Sequence, residues 1–338
     1  MSKTPIFGKK NVLVTGGAGF IGSHLCEALL RNNKVICLDD FSNSHVENIE
    51  HLLKDPDFEF VRININNPFN LEDLPELEKF KIKFQGIQEI YHLACPTSAK
   101  NFDQFKLETL LSNSLGMRQV LDLAVKYNSK IVFGSSSVIY GPRRNDTDKI
   151  KESEWGTVDN LSPRSCYDEG KRFAETMCVT YSQIYNLDVR IARIFRTYGP
   201  RLKLFDGQMI TDFIVDALRG NDVVIYGDET FSSSLTYVGD ILDGLTKLME
   251  AYKVSGPVNL GAENVYLLKD VAEFIIKSVN SSSQIRFEKP LVFITSLGLP
   301  NIDRAKEELG WFPVVSLEEG LKKTIDYTVA HEKMVGAE

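Results

Sequence analysis

The run "SPRSCYDEGKRFAETMC", Ser162 to Cys178, sets Tyr167 and Lys171 four residues apart in a stretch that reads as a helix. That spacing puts a phenol and an ammonium on one helical face, one turn from each other. A phenol is a poor base at neutral pH, because its ordinary pKa is about 10. A neighbouring cation stabilises the phenolate and lowers that value, and the positive ring of an oxidised nicotinamide adds to the effect. A phenolate so placed removes a hydroxyl proton while hydride leaves the same carbon for the nicotinamide. Lys171 can also hold the nicotinamide ribose. A Tyr-x-x-x-Lys pair is common by chance on solvated helix faces, so this reading needs a dinucleotide site elsewhere in the chain.

"NVLVTG", from Asn11, reads as a buried strand, and "TGGAGFIGSH" follows it and opens a helix. Gly16, Gly19 and Gly22 give the G-x-x-G-x-x-G spacing, with Phe20 and Ile21 inside it. Glycine permits the tight turn and lets backbone N–H groups reach a pyrophosphate at the positive helix end. A lone glycine pattern is weak evidence. Here it has a strand before it, a helix after it and an acid, Asp39, at the end of the next strand, "KVICLDD". A carboxylate there accepts hydrogen bonds from a ribose diol and repels a 2′-phosphate, so NAD is expected over NADP. Asp40 takes the role if the register slips by one.

These groups need a frame to hold them. After the first two strands come "FEFVRI", "IQEIYHLA", "KIVFGSS" and "DVRIARIF", with amphipathic stretches between them, including a long helix from Phe102 to Tyr127. The alternation predicts an α/β fold with a doubly wound parallel sheet of the Rossmann type. After Phe195 the rhythm changes to turns and shorter elements. We therefore expect an NAD-binding domain over 1–195, with a later segment near 232–262 added to it. A smaller substrate-binding lobe, 196–338, completes the chain.

Bulk composition narrows the classes. The 338 residues carry a net charge of -7, a field that does not favour nucleic acid or an anionic membrane. Five cysteines without a C-x-x-C pair predict reduced thiols, and five scattered histidines predict no metal site. The start lacks a long apolar stretch and no apolar run is long enough to span a bilayer, so a cytoplasmic protein is expected.

The chain also resembles, over nearly its whole length, the extended short-chain dehydrogenase/reductase family that acts on nucleotide sugars. "VTGGAGFIGSHL", "YHLACPTS", "SPRSCYDEGKRFAETMC", "ARIFRTYGPR", "SGPVNLG" and "LGWFPVVSLEEGL" carry the resemblance. "PRSCYDEGKR" is closest to the branch that decarboxylates UDP-glucuronate. The resemblance implies Tyr167 as base, Lys171 as its partner and Ser136 as the hydroxyl that bonds the sugar. It implies Ala94 and Asn113 against the dinucleotide, with Asn64 where the family often has an aspartate near adenine. Ser137, Arg201 and Tyr226 fall where the substrate is contacted. A homodimer through paired helices is also implied.

Four positions depart from the branch. Val138 stands where a glutamate is usual and Ser233 where an arginine meets the substrate carboxylate. Arg196 replaces an asparagine, and "LGLPN", ending at Asn301, replaces a basic segment. Valine transfers no proton, and serine makes no bidentate ion pair. Arg196 could meet a carboxylate, clamp a diphosphate or lie on the surface. All the branches that the resemblance allows begin with oxidation at sugar C4. Decarboxylation of the resulting ketone is the first expectation. A C4 epimerase or a simple C4 dehydrogenase with another sugar comes next, and a non-enzymatic NAD or nucleotide-sugar sensor is a remote alternative. The charged loop from Tyr140 reads either as a lid over the sugar or as a solvated surface loop.

Overall fold

Seven short apolar runs align as one parallel sheet in the computed structural model, which describes residues 8–97, 102–143, 149–291 and 297–335. The strands are β1 (Asn11–Thr15), β2 (Lys34–Asp39), β3 (Phe58–Arg62), β4 (Glu89–His92), β5 (Lys130–Ser136), β6 (Val189–Ile194) and β7 (Val258–Leu260). Their order is β7-β6-β5-β4-β1-β2-β3. The chain winds outward from β1 to β3, then crosses back to β4 and winds the other way. The crevice at the carboxyl ends of β1 and β4 is the switch point where such sheets bind ligands.

Both faces of the sheet are covered, which is why its strands read as continuous apolar runs. Alternate residues of each strand enter opposite cores. Val12, Val14, Val35 and Cys37 pack with Leu25 and Leu29 of the helix α1 (Phe20–Leu30). Leu13, Ile36, Leu38 and Ile131 pack on the other face with Met117, Leu121, Ala174 and Cys178. The segment after residue 232 contributes to the first of these cores through Ile241, Leu245 and Leu248 of the helix Val238–Glu250 and through Val258 and Leu260 of β7. Trp311, fully buried, joins it from near the C-terminal end. A third core, with Phe213, Ile214, Ile225, Val271 and Leu321, belongs to the smaller lobe.

Two elements differ from the sequence reading. The stretch expected as one helix from Phe102 to Tyr127 begins as a 3-10 turn and is then interrupted. Lys106–Leu111 and Met117–Tyr127 are α-helical, and Ser112–Gly116 between them is a π-helical turn. Such a turn inserts a residue and re-aims side chains, commonly beside a site. The seventh strand was not expected, because three residues inside "SGPVNLG" are too few to show a period. Within the charged loop from Tyr140, residues 144–148 lie outside the described residues, while Lys149 and Ile150 pair with Leu299 and Pro300.

Candidate active site

Where β1 ends, the chain turns at Gly16 with φ +71°, a conformation that side chains disfavour. A Cβ on Gly16 would lie 2.7 Å from the Ala94 nitrogen, and one on Gly22 would lie 2.0 Å from the Gly16 carbonyl oxygen. No side chain caps the start of α1 at Gly19, so the first-turn N–H groups face the turn. The result is a groove of about 710 Å³ whose walls include Gly16, Gly19, Phe20, Ile21, Gly22, Asp39, Asp40, Asn64, Ala94, Cys95, Ser136, Tyr167, Lys171 and Arg201.

Asp39 does two jobs at the rim. Its carboxylate accepts from the Ala18 N–H (3.0 Å), the Phe41 N–H (3.0 Å) and the Ser44 hydroxyl (2.7 Å), which fixes the loop after β2. A carboxylate has about four lone-pair positions, so one remains for a ligand hydroxyl. Burial pushes the Asp39 carboxyl above its usual range, against these hydrogen bonds. Asp40 accepts only from the Ser42 N–H, at 2.9 Å, among its described contacts. Asn64 accepts from the Asn66 N–H at 2.9 Å. Arg201 is ion-paired with Glu27, while its Nη1 is buried without a hydrogen-bond partner, as a phosphate-facing donor would be. The glycine cradle, the acid at the end of β2 and this orphaned nitrogen all suit a dinucleotide.

β5 ends at Ser136, and the helix Ser165–Tyr185 lays Tyr167 and Lys171 against it. The Ser136 hydroxyl and the Tyr167 phenol line the same cavity, close enough for the hydroxyl to act on the phenol. Lys171 is buried and donates to the Gly134 carbonyl at 2.8 Å. Its Nζ lies 4.7 Å from the Phe133 ring centroid and 6.0 Å from that of Tyr167. The expected drop in the Tyr167 pKa is not met in the protein alone. Burial raises it, Cys95 raises it further, and the Ser136 hydroxyl and the Arg164 charge only partly oppose them. Burial likewise lowers the pKa of Lys171, opposed by Cys95, Cys178 and Glu175.

A second cavity, about 240 Å³, opens on the same residues. Ser136 and Tyr167 line both, and Ser137, Val138, Arg164, Arg196, Gln208 and Met209 are among the others lining this one. The structure thus brings together the glycine turn, Asp39, Ala94, the Ser136–Tyr167–Lys171 set, Ser137 and Arg196. Three expected residues lie elsewhere. Asn113, in the π-helical turn, is behind the groove wall, where its amide donates to the Thr109 carbonyl (2.8 Å) and the Cys95 sulfur (3.2 Å). Tyr226 packs with the core of the lobe. Ser233 is buried, and its hydroxyl donates to the Ser234 carbonyl at 3.1 Å.

Sequence reasoning missed three features. Cys95 stands beside Ala94 in "HLAC", where it reads only as a buried thiol. Arg164 is three residues before Tyr167 in the opening run. The third is a buried network behind the site. Glu175, one turn beyond Lys171, accepts from Ser135 (2.5 Å) and from Arg193 (3.0 and 2.8 Å), and Arg193 donates to the Tyr140 hydroxyl (2.8 Å). Only the folded strands bring these residues together.

The fold and the site define a dinucleotide-dependent enzyme of the extended short-chain dehydrogenase/reductase type. Residues 12–261 match the NAD dependent epimerase/dehydratase family, and the chain belongs to that family. It is 38% identical over 322 residues to UDP-glucuronic acid decarboxylase 1 of Xenopus tropicalis, covering 94% of this chain and 72% of that protein. An epimerase from Methanothermobacter thermautotrophicus superposes with a TM-score of 0.84 at 25% identity, over 98% of this chain and 95% of that one. UDP-glucuronic acid 4-epimerase from Bacillus cereus, solved with UDP-glucuronic acid and NAD, gives 0.82 at 27% identity, over 95% and 99%. NAD is the cofactor of the protein. All five cysteines are free. Among the described residues no helix is long and apolar enough to cross a membrane, and no cluster of His, Cys, Asp or Glu could hold a metal.

Proposed function

We propose that this protein oxidises C4 of a UDP-linked hexuronic acid and releases the carboxyl carbon; relatives such as the one from Xenopus tropicalis are named UDP-glucuronic acid decarboxylases. One observation carries the reading. Ser136 and Tyr167 stand where the dinucleotide groove meets a second cavity that holds two guanidiniums and, among the described residues, no carboxylate. NAD, when bound, would supply the hydride acceptor for C4. Tyr167 removes the proton of the C4 hydroxyl, Ser136 orients that hydroxyl, and Lys171 keeps a positive charge beside the phenol. Gly16, Gly19, Phe20, Ile21, Gly22, Asp39, Ala94 and Arg201 hold the dinucleotide, with Asp40 and Asn64 at its adenosine end. The C4 ketone makes the hexuronate a β-keto acid. The C5–C6 bond then breaks to free carbon dioxide, its electron pair moves onto the C4 oxygen, and the enolate so formed takes a proton at C5 before the hydride returns to C4.

Val138 favours a second reading. It is 4% exposed and lies in the sugar cavity, where it offers no proton. A site with only Ser136, Tyr167 and Lys171 equally suits return of the hydride to the opposite face, which inverts C4. Mass spectrometry of UDP-glucuronate after incubation with protein and NAD separates the readings. Loss of the mass of carbon dioxide supports decarboxylation. Unchanged mass with an inverted C4 by proton NMR supports epimerisation.

A homodimer fits this reading. Leu107, Leu110, Phe173 and Val179 are exposed apolar side chains on two helices that pack on each other, Lys106–Leu111 and Ser165–Tyr185. Light scattering should give twice the chain mass, and Phe173→Asp should give the monomer. Free thiols suit a cytoplasmic location.

A further inference from the structure

The second cavity has a charge that C4 oxidation does not need. Its described walls carry Arg164 and Arg196 and no acid, inside a protein of net charge -7. The two arginines come from different elements. Arg164 is the residue before the helix Ser165–Tyr185, and Arg196 lies just beyond β6. Asp168, one turn into that helix, holds the Arg164 guanidinium at 3.2 Å, with both side chains largely buried. Arg164 is therefore oriented by its neighbour. The pKa of Arg196 is lowered to about 10, by burial first and then by the like charge of Arg164. Asp168 offsets part of the Arg164 charge, and the second guanidinium, on Arg196, leaves the described walls of the cavity net positive, where an anion is favoured. The positive end of a 21-residue helix at Arg164 adds to that field.

The wall that carries these charges also carries Ser136 and Tyr167, which act at C4. On a hexuronate, the anion closest to C4 is the carboxylate on C5; the diphosphate on C1 lies across the ring. Ser233 does not supply a cation, and its hydroxyl is engaged with Ser234. Yet its segment runs beside Arg196, because the Thr236 N–H donates to the Arg196 carbonyl at 3.0 Å.

We propose that Arg164 and Arg196 together form the subsite for the sugar carboxylate, and that this pair makes the protein select UDP-hexuronates over UDP-hexoses. The proposal rests on the hexuronate reading for its substrate class. Binding calorimetry on the NAD-loaded protein tests it without requiring turnover. UDP, UDP-glucose and UDP-glucuronate are the probes, with wild type, Arg196→Gln and Arg164→Gln as the proteins.

Wild type is expected to prefer UDP-glucuronate over UDP-glucose. Either substitution should weaken UDP-glucuronate roughly 30-fold or more. UDP and UDP-glucose should change by less than about 3-fold, because they lack the carboxylate. Equal weakening of all three probes would assign the arginines to the diphosphate and overturn the proposal, as would a wild type that binds both sugars alike. If selectivity tracks the arginines but UDP-glucuronate is not converted, the subsite stands and the proposed reaction fails. Melting curves of both variants, read beside UDP affinity, separate misfolding from loss of the subsite.

Discussion

Tyr167 is the residue on which the chemistry turns, and its environment sets two requirements. Burial, with Cys95 beside it, makes its phenol titrate above the ordinary value in the protein alone. It becomes a useful base only when positive charge arrives beside it, from Lys171 and from oxidised NAD. Tyrosinate absorbance, read as wild type minus Tyr167→Phe, should therefore titrate above about 10 without NAD and shift downward when NAD is added. Turnover of Tyr167→Phe should fall by about 10²- to 10⁴-fold while NAD affinity is kept. A variant that kept its rate would remove Tyr167 from the mechanism. The Tyr167–Lys171 pair was legible because a helical spacing of four is local. Arg164, in the same run, was not read as functional, because its worth depends on Arg196 being across a cavity from it.

At the scale of elements, the site depends on how the helix Ser165–Tyr185 is locked to the sheet. Glu175 joins that helix to Ser135 of β5 and Arg193 of β6, with the carboxylate and the guanidinium 13% and 10% exposed. Breaking one side of such a pair leaves an unpaired buried charge, which costs roughly 3–5 kcal/mol. Glu175→Gln should lower stability by about that much in denaturant unfolding. It should also lower the Lys171 pKa further, since Glu175 is one of the charges that oppose burial there. The decline of turnover at high pH should then begin at lower pH than in wild type. An unshifted profile with reduced stability would make the pair structural only. Six strands and the glycine turn were legible because period and turn chemistry are local properties. The network, the three-residue β7 and the π-helical turn were not, because each depends on contacts between segments distant in the chain.

Over the whole molecule, one fully buried histidine and one half-buried histidine tie stability to pH. His92, fully buried and 2.7 Å from the Thr15 hydroxyl, has its pKa lowered to about 3 by burial. His24 is lowered to about 4, again mainly by burial, and bonds the Pro200 carbonyl at 2.9 Å across to the segment that leads into the lobe. Both values lie below the ordinary 6.5, so the unfolded chain takes up these protons first. Their contribution is full above about 6.5 and is lost as pH falls toward about 4 and 3. The raised carboxyls of Asp39, Asp168 and Asp240 act in the opposite sense at the acid end. The melting temperature should fall between about pH 6.5 and 4.5, and His24→Gln, which keeps an N–H donor, should flatten part of that fall. A slope unchanged by the substitution would show that His24 does not couple protonation to folding.

The most direct test of C4 oxidation traces the C4 hydrogen. UDP-glucuronate deuterated at C4 is incubated with the protein and NAD, and the nucleotide-sugar product and the solvent are both assayed for label. If C4 is oxidised by hydride transfer within the site, turnover slows with a primary isotope effect and the product keeps deuterium at C4. Deuterium released to water would mean that the C4 hydrogen leaves as a proton, and the roles assigned to Tyr167, Lys171 and Ser136 would fall with it.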